Sequence, residues 1–172
     1  MFKCRPEKDA DRKAIFEINR LAFGQETESC LVDMLRESEN YVNGLSLVAE
    51  KDGEVVGHIL FTKISLEPPN GDFVGLALAP MAVRPDLQRQ GIGSSLIIEG
   101  LKACKSRGYK TIIVIGHPNY YPRFGFSSAR EKGLESPFPE PDEAFMVLEL
   151  VPGCLDGVEG IITFAPEFTE VE

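Results

Sequence analysis

The chain has 172 residues, 43% of them apolar and 26% charged, with a formal net charge of −9. That size and composition fit one soluble domain with a substantial core, and the negative charge argues against a nucleic-acid partner. No apolar run approaches the roughly 20 residues that span a bilayer, and the charged opening MFKCRPEKDADRK has no signal-like apolar segment, so a cytoplasmic protein without a membrane partner is expected.

Met1 to Arg5 reads as a short edge strand stopped by Pro6. Glu7 to Phe23 reads as a helix, with Ala10, Ala14, Ile15, Ile18, Leu21 and Ala22 mainly at three- and four-residue spacings and Gly24 as its stop. A second helix starts near Glu26, with Cys30, Leu31, Met34 and Leu35 as its apolar stripe, and ends over Asn40 to Gly44. Leu45 to Lys51 and Glu54 to Leu66 are strands joined by Asp52-Gly53, a strong hairpin signal. Pro68 to Asp72 is a further turn, and Phe73 to Val83 completes a three-strand antiparallel meander. Pro80 cannot donate to a ladder, so it marks an edge, a bulge or an opening.

Gly91 to Arg107 is the next helix, with Ile92, Leu96, Ile97, Leu101 and Cys104 on one face and Gly108 as its stop. Thr111 to Gly116 is apolar on both alternations, as a buried parallel strand is. Residues 131–142 read as a Pro-rich acidic loop, and Ala144 to Val151 and Gly160 to Phe164 as two closing strands. No repeat and no second domain is visible. Cys4, Cys30, Cys104 and Cys154 lack metal-binding spacings, and His58 and His117 lie far apart. No metal site is expected, and the thiols are expected free and largely core or half-buried. His58, within an apolar strand pattern, reads as structural.

The charge is unevenly spread. Residues 131–172 carry one lysine against eleven acidic residues. Residues 81–130 carry eight basic residues (Arg84, Arg89, Lys102, Lys105, Arg107, Lys110, Arg123 and Arg130) against Asp86 and Glu99. Within this basic block, a strand ending at Val83 runs through a polar turn into a helix opened by Gly91-Ile92-Gly93. The first N–H groups of a helix lack internal partners and the helix dipole favours negative charge there, so this is an anion site. Gly91 and Gly93 let the anion approach the backbone, and Arg89 adds charge. A Walker loop needs GxxxxGK[ST], which is absent. A dinucleotide fingerprint needs GxGxxG after an early strand, but Leu96 stands at the last glycine position and the turn comes late.

The segment Gln88-Arg89-Gln90-Gly91-Ile92-Gly93 resembles the QxxGxG acyl-coenzyme-A loop of the GNAT superfamily of N-acetyltransferases. Tyr121-Pro122-Arg123-Phe124-Gly125-Phe126 is similar to that superfamily's Y-x-K/R-x-G-F segment. The ending, PDEAFMVLELVPGCL then GVEGIITFAPEF, resembles the YhbS-like bacterial branch. The resemblance runs over nearly the whole chain. It implies a single domain over residues 1–172 of mixed α/β (α+β) class. Its sheet would be largely antiparallel, of about six or seven strands, with a parallel central pair splayed at a bulge and about four flanking helices.

The resemblance also implies acetyl-CoA as cosubstrate, with no metal, and a primary amine as acceptor. Gln88, Arg89, Gln90, Gly91, Ile92, Gly93 and Ser94 would hold the pyrophosphate, and Met81, Ala82 and Val83 would pair with the pantetheine arm by strand addition. Asn119 and Tyr121 would lie near the thioester sulfur, with Tyr121 protonating the leaving thiolate. The base has no motif. Strand Phe73 to Val83 carries no carboxylate after Asp72, which leaves Glu26, Glu28 and His117 as candidates. Tyr120 reads as a packing aromatic. Homodimer formation stays open. The alternative is a non-catalytic acyl-CoA sensor, which would need the loop but not Tyr121.

Overall fold

Asp52 and Gly53 adopt φ of 53° and 79°, the left-handed pair that a type I′ hairpin turn requires. In the computed structural model, which describes residues 1–68 and 73–170, this turn joins β2 (Tyr41–Lys51) to β3 (Glu54–Glu67), with Lys51 opposite Glu54. The chain forms two compact units. The first comprises residues 1–62, 79–103 and 165–172, and the second 63–78 and 104–164. It passes between them within β3 and within β4 (Gly75–Val83).

In the first unit, β1 (Phe2–Pro6) pairs antiparallel with β2, and the sheet order runs β1-β2-β3-β4. The expected helix from Glu7 instead begins as a 3-10 turn over Asp9–Asp11 and becomes α1 at Arg12–Phe23. The Asp11 carboxylate accepts from the Lys8 amide at 2.7 Å and from Arg5 at 2.7 and 3.0 Å, which ties the helix entry to β1. α2 (Thr27–Arg36) ends sooner than expected, because Tyr41 already belongs to β2. Ile15 of α1 and Leu31, Val32 and Leu35 of α2 pack with Val48, Leu60, Ala79 and Ala165 in one core cluster. Cys30 is exposed and does not belong to the apolar stripe. The inner position falls to Ser29, whose buried hydroxyl donates to the Phe16 carbonyl at 2.6 Å. Leu21, expected on the inner face of α1, is 43% exposed.

α3 (Ile92–Ser106) packs on β3 through two glycines. A Cβ at Gly100 would stand 2.6 Å from the Phe61 ring, and one at Gly57 would stand 3.0 Å from Leu96 and 3.1 Å from Ile92. At Gly100 a side chain would have to displace the Phe61 ring, and at Gly57 it would press on Leu96 and Ile92.

A polar chain crosses the first unit's core. His58 is fully buried, with Nε2 2.8 Å from Ser46 Oγ and Nδ1 3.4 Å from Asn19 Nδ2. The Ser46 hydroxyl donates to the Glu7 carboxylate, which Arg36 holds at 2.9 and 3.3 Å. Asn19 Nδ2 also donates to the Ile15 carbonyl at 3.0 Å. With the Ser46 proton given to Glu7, its oxygen accepts from Nε2–H, so the ring is neutral with its proton on Nε2. Burial, and then the Arg36 charge, pull His58 down to about 3, despite Glu7 at 3.8 Å. His58 is structural, as its strand pattern implied.

In the second unit, β5 (Thr111–Ile115) runs parallel to β4, with Gly75–Ala77 opposite Thr111–Ile113. On its other side it pairs along its whole length with antiparallel β8 (Phe145–Glu149). β6 (Ser127–Ser128) adds to β8, and β7 (Leu134–Glu135) pairs parallel with β9 (Gly160–Thr163), which joins β3 antiparallel at Ser65–Glu67. Among the described residues the sheet thus has nine strands rather than six or seven, because two-residue strands sit where the sequence reads as loop. Among the described residues there are three α-helices rather than about four, and the other helical pieces are short 3-10 turns. Ile64, Leu66, Ala77, Ile113, Leu134, Phe145, Val147 and Ile162 form the core of this unit. Of the expected turn over Pro68 to Asp72, residues 69–72 lie outside the described residues.

Candidate active site

The parallel ladder between β4 and β5 covers only Gly75–Ala77. β4 itself continues through Pro80 to Val83, so Pro80 does not break the strand. Beyond Val83, the Arg84 amide still donates to the Val56 carbonyl of β3 at 2.8 Å. Within the first unit, Ala82 is buried and Met81 and Val83 are half-buried.

The chain then turns through Pro85–Leu87 into a loop held by the Gln88 side-chain amide, which donates to the Val83 carbonyl at 3.1 Å. Gln88 is extended, at φ −68° and ψ 156°. Arg89 and Gly91 have φ of 66° and 87°, the left-handed region where a non-glycine residue such as Arg89 is strained. Among the described residues, no backbone carbonyl accepts from the amides of Gln88 to Gly93, while the Ser95 amide reaches the Gly91 carbonyl at 3.0 Å. Alternating backbone hand and unclaimed amides at a helix N-terminus are the features of an anion cradle. A Cβ on Gly91 would meet nothing within 4 Å. Gly91 is therefore needed for its φ, and the space above it is open. Several cations of the basic block are already engaged. Arg84 pairs with Glu54 and Asp86, Lys102 with Glu99 and Arg130 with Asp142. Arg89 makes no ion pair among the described residues and stays exposed at the loop.

In the second unit, β5 ends at Ile115 and the chain turns through residues 116–120 into the 3-10 turn Tyr121–Phe124. The amides of Tyr120 and Tyr121 donate to the His117 carbonyl at 3.1 and 3.4 Å. The Tyr121 ring lies over Gly116, where a Cβ would come within 2.6 Å of its Cε2. Tyr120 and Phe126 meet the ring edge-on at centroid distances of 5.2 and 5.7 Å. Arg123 covers Tyr120 at 4.8 Å. Burial, then the neighbouring Tyr120, push the Tyr121 phenol up to about 12. It stays protonated throughout the neutral range, as a proton donor must. Asn119 and His117 are exposed on the same turn.

Glu26 is exposed at the N-cap of α2. Glu28 is held by the Gln25 side chain at 3.1 and 3.3 Å. A different carboxylate stands out, with no sequence motif to announce it. Glu167 Oε1 is one of three buried side-chain atoms without a hydrogen-bond partner among the described residues, with Asn19 Oδ1 and Thr62 Oγ1. Each such group costs about 1–3 kcal/mol when left unmade and calls for an explanation. Among the described residues, no group of three or more His, Cys, Asp or Glu could hold a metal ion, and no helix is long and apolar enough to cross a membrane.

Residues 12–126 match the profile of the acetyltransferase (GNAT) family. The chain is 40% identical over 135 residues to an uncharacterized N-acetyltransferase of Escherichia coli K12, YjhQ, spanning 78% of this chain and 75% of that one. It is 31% identical to YhbS of the same organism, also an uncharacterized N-acetyltransferase, over 95% of this chain and 96% of that one. The crystal structure of YhbS from Escherichia coli in complex with CoA aligns with a TM-score of 0.91, covering 98% of this chain and 92% of that one. A GNAT family acetyltransferase from Brucella melitensis in complex with acetyl-CoA aligns at 29% identity with a TM-score of 0.80, covering 98% of both chains.

Proposed function

The chain belongs to the acetyltransferase (GNAT) family, and from that premise we propose that it transfers an acetyl group from acetyl-CoA to a primary amine by direct attack. The observation that carries this reading is the loop from Gln88 to Gly93, whose amides meet no backbone carbonyl among the described residues and whose Gly91 faces open space. Relatives solved with CoA and acetyl-CoA support the cosubstrate.

In this reading the amides of Gln88 to Ser94 bind the pyrophosphate, with Arg89 adding a positive charge. The backbone of Met81 to Val83 pairs with the pantetheine arm, as an added strand pairs with a free edge. Asn119 and Tyr121 attend the thioester end. The amine lone pair attacks the acetyl carbon, a backbone N–H of β4 stabilises the oxyanion, and Tyr121 gives its proton to the departing thiolate. His117 and Glu26, both exposed, contact the incoming amine directly or through water. Residues 1–172 act as one cytoplasmic acetyltransferase domain.

Thiol release from acetyl-CoA across a panel of primary amines tests the reading. Turnover with at least one amine is expected. Saturable binding of acetyl-CoA with no thiol release for any amine would replace the enzyme with an acyl-CoA sensor.

A further inference from the structure

Glu167 is the second residue of the turn Pro166–Thr169, which follows Ala165. Ala165 belongs to the core cluster that also contains Ala79 and Leu60, and Phe168 packs on the same cluster. Ala79 directly precedes the Pro80–Val83 stretch proposed to receive the pantetheine arm. Thr62 lies two residues along β3 from Leu60, so strand alternation turns both side chains to the same face. Glu167 Oε1 and Thr62 Oγ1 are both buried without a hydrogen-bond partner among the described residues, and Glu167 stands between Ala165 and Phe168 of this cluster in the chain. Glu167 makes no ion pair or side-chain hydrogen bond among the described residues. In this it differs from Glu7, Asp11 and Glu50, which are engaged by arginines.

We propose that Glu167 receives the acceptor amine: its buried Oε1 accepts an N–H of the incoming alkylammonium and takes the proton whose loss frees the lone pair for attack. This rests on the acetyl-transfer reading above. The amine lone pair forms the C–N bond while the thioester C–S bond breaks. The bonding pair leaves on sulfur, which takes the Tyr121 proton, and the nitrogen's remaining surplus proton returns to the Tyr121 phenolate or passes to solvent. Amide and free thiol result, and both side chains recover their starting protonation by exchange with solvent. A primary amine fits because its N–H bonds need acceptors while its lone pair stays directed at the carbonyl. A carboxylate oxygen that no protein donor engages is free to accept the N–H of such a group.

The test compares wild-type protein with Glu167→Gln, using acetyl-CoA and either an alkylamine substrate or hydroxylamine, which is already unprotonated at neutral pH. Glu167→Gln should lower turnover with the alkylamine about 100-fold, lower it far less with hydroxylamine, and leave acetyl-CoA affinity unchanged. Glu167→Met, which removes the unpaired oxygen, should raise the Tm of the free protein by about 2–4 °C while abolishing alkylamine turnover. The proposal is overturned if Glu167→Gln keeps wild-type rates with the alkylamine, or if it loses both nucleophiles equally with a lowered Tm. Wild-type protein that releases no thiol with any nucleophile removes the acetyl-transfer reading, and the assignment of Glu167 with it. That outcome is distinguishable because it appears before any substitution is made.

Discussion

Tyr121 owes its place to a missing atom on another residue. Its ring occupies the space a Cβ on Gly116 would fill, and Tyr120 and Phe126 hold it edge-on. Tyr121→Phe keeps that packing and removes only the proton, so it should lower turnover about 100-fold, within the range of general acid catalysis, with acetyl-CoA affinity nearly unchanged by calorimetry. Unchanged turnover would remove Tyr121 as the acid. Absorbance at the phenolate band should show one tyrosine, absent in Tyr121→Phe, that ionises only near pH 12. The motif position of Tyr121 was legible in the sequence because a short contiguous pattern carries it. The seat over Gly116 was not, since nothing local says which ring a glycine accommodates. Glu167 was illegible for a similar reason: an unpaired buried oxygen is a property of surroundings drawn from distant parts of the chain. Cys30 shows the converse error. Helical spacing placed it on the inner stripe, but Ser29 takes the inner position and its hydroxyl finds the Phe16 carbonyl.

At the scale of elements, α3 presents the loop because it rests closely on β3. Gly100→Ala would drive a methyl into the Phe61 ring. Overpacking typically costs about 1–3 kcal/mol, against a gain of about 0.5–1 kcal/mol in helix propensity. The expected outcome is a net loss of stability in urea unfolding together with weaker acetyl-CoA binding. A stabilised variant with unchanged binding would show that this seat does not position the loop. The meander, the Asp52-Gly53 turn and the helix after Gly91 were legible because each rests on local chemistry. β6 and β7 were not, because two-residue strands have no alternation to display and exist through their pairing with β8 and β9. The C-terminal limit of α2 was misplaced for a related reason, as Tyr41 is claimed by its pairing with Thr62 on β3.

The whole molecule carries a net charge of −9 yet is proposed to bind an anionic cofactor, so local geometry must outweigh the overall field. Because Arg84, Lys102 and Arg130 are already paired, Arg89→Ala should weaken acetyl-CoA binding at low salt and flatten its salt dependence. Global stability should also depend on pH through His58. Its folded value is lowered to about 3 from an ordinary value of about 6.5, so the fold favours the neutral ring. That contribution is fully present above about pH 6.5 and is lost as pH falls toward 3. Urea unfolding between those limits should show a shallower loss for His58→Gln than for wild type, and equal slopes would contradict the neutral assignment.

Calorimetric titration of acetyl-CoA into wild-type protein and into Gly91→Val tests the central claim most directly. Position 91 has φ of 87° and open space above it. A β-branched residue there both strains the loop and fills the proposed pyrophosphate site, without touching Tyr121 or the core. Saturable one-to-one binding to the wild type at micromolar concentration, lost in the variant while its Tm stays near the wild-type value, is the predicted result. Absence of binding to the wild type, or equal affinity in both proteins, would contradict it.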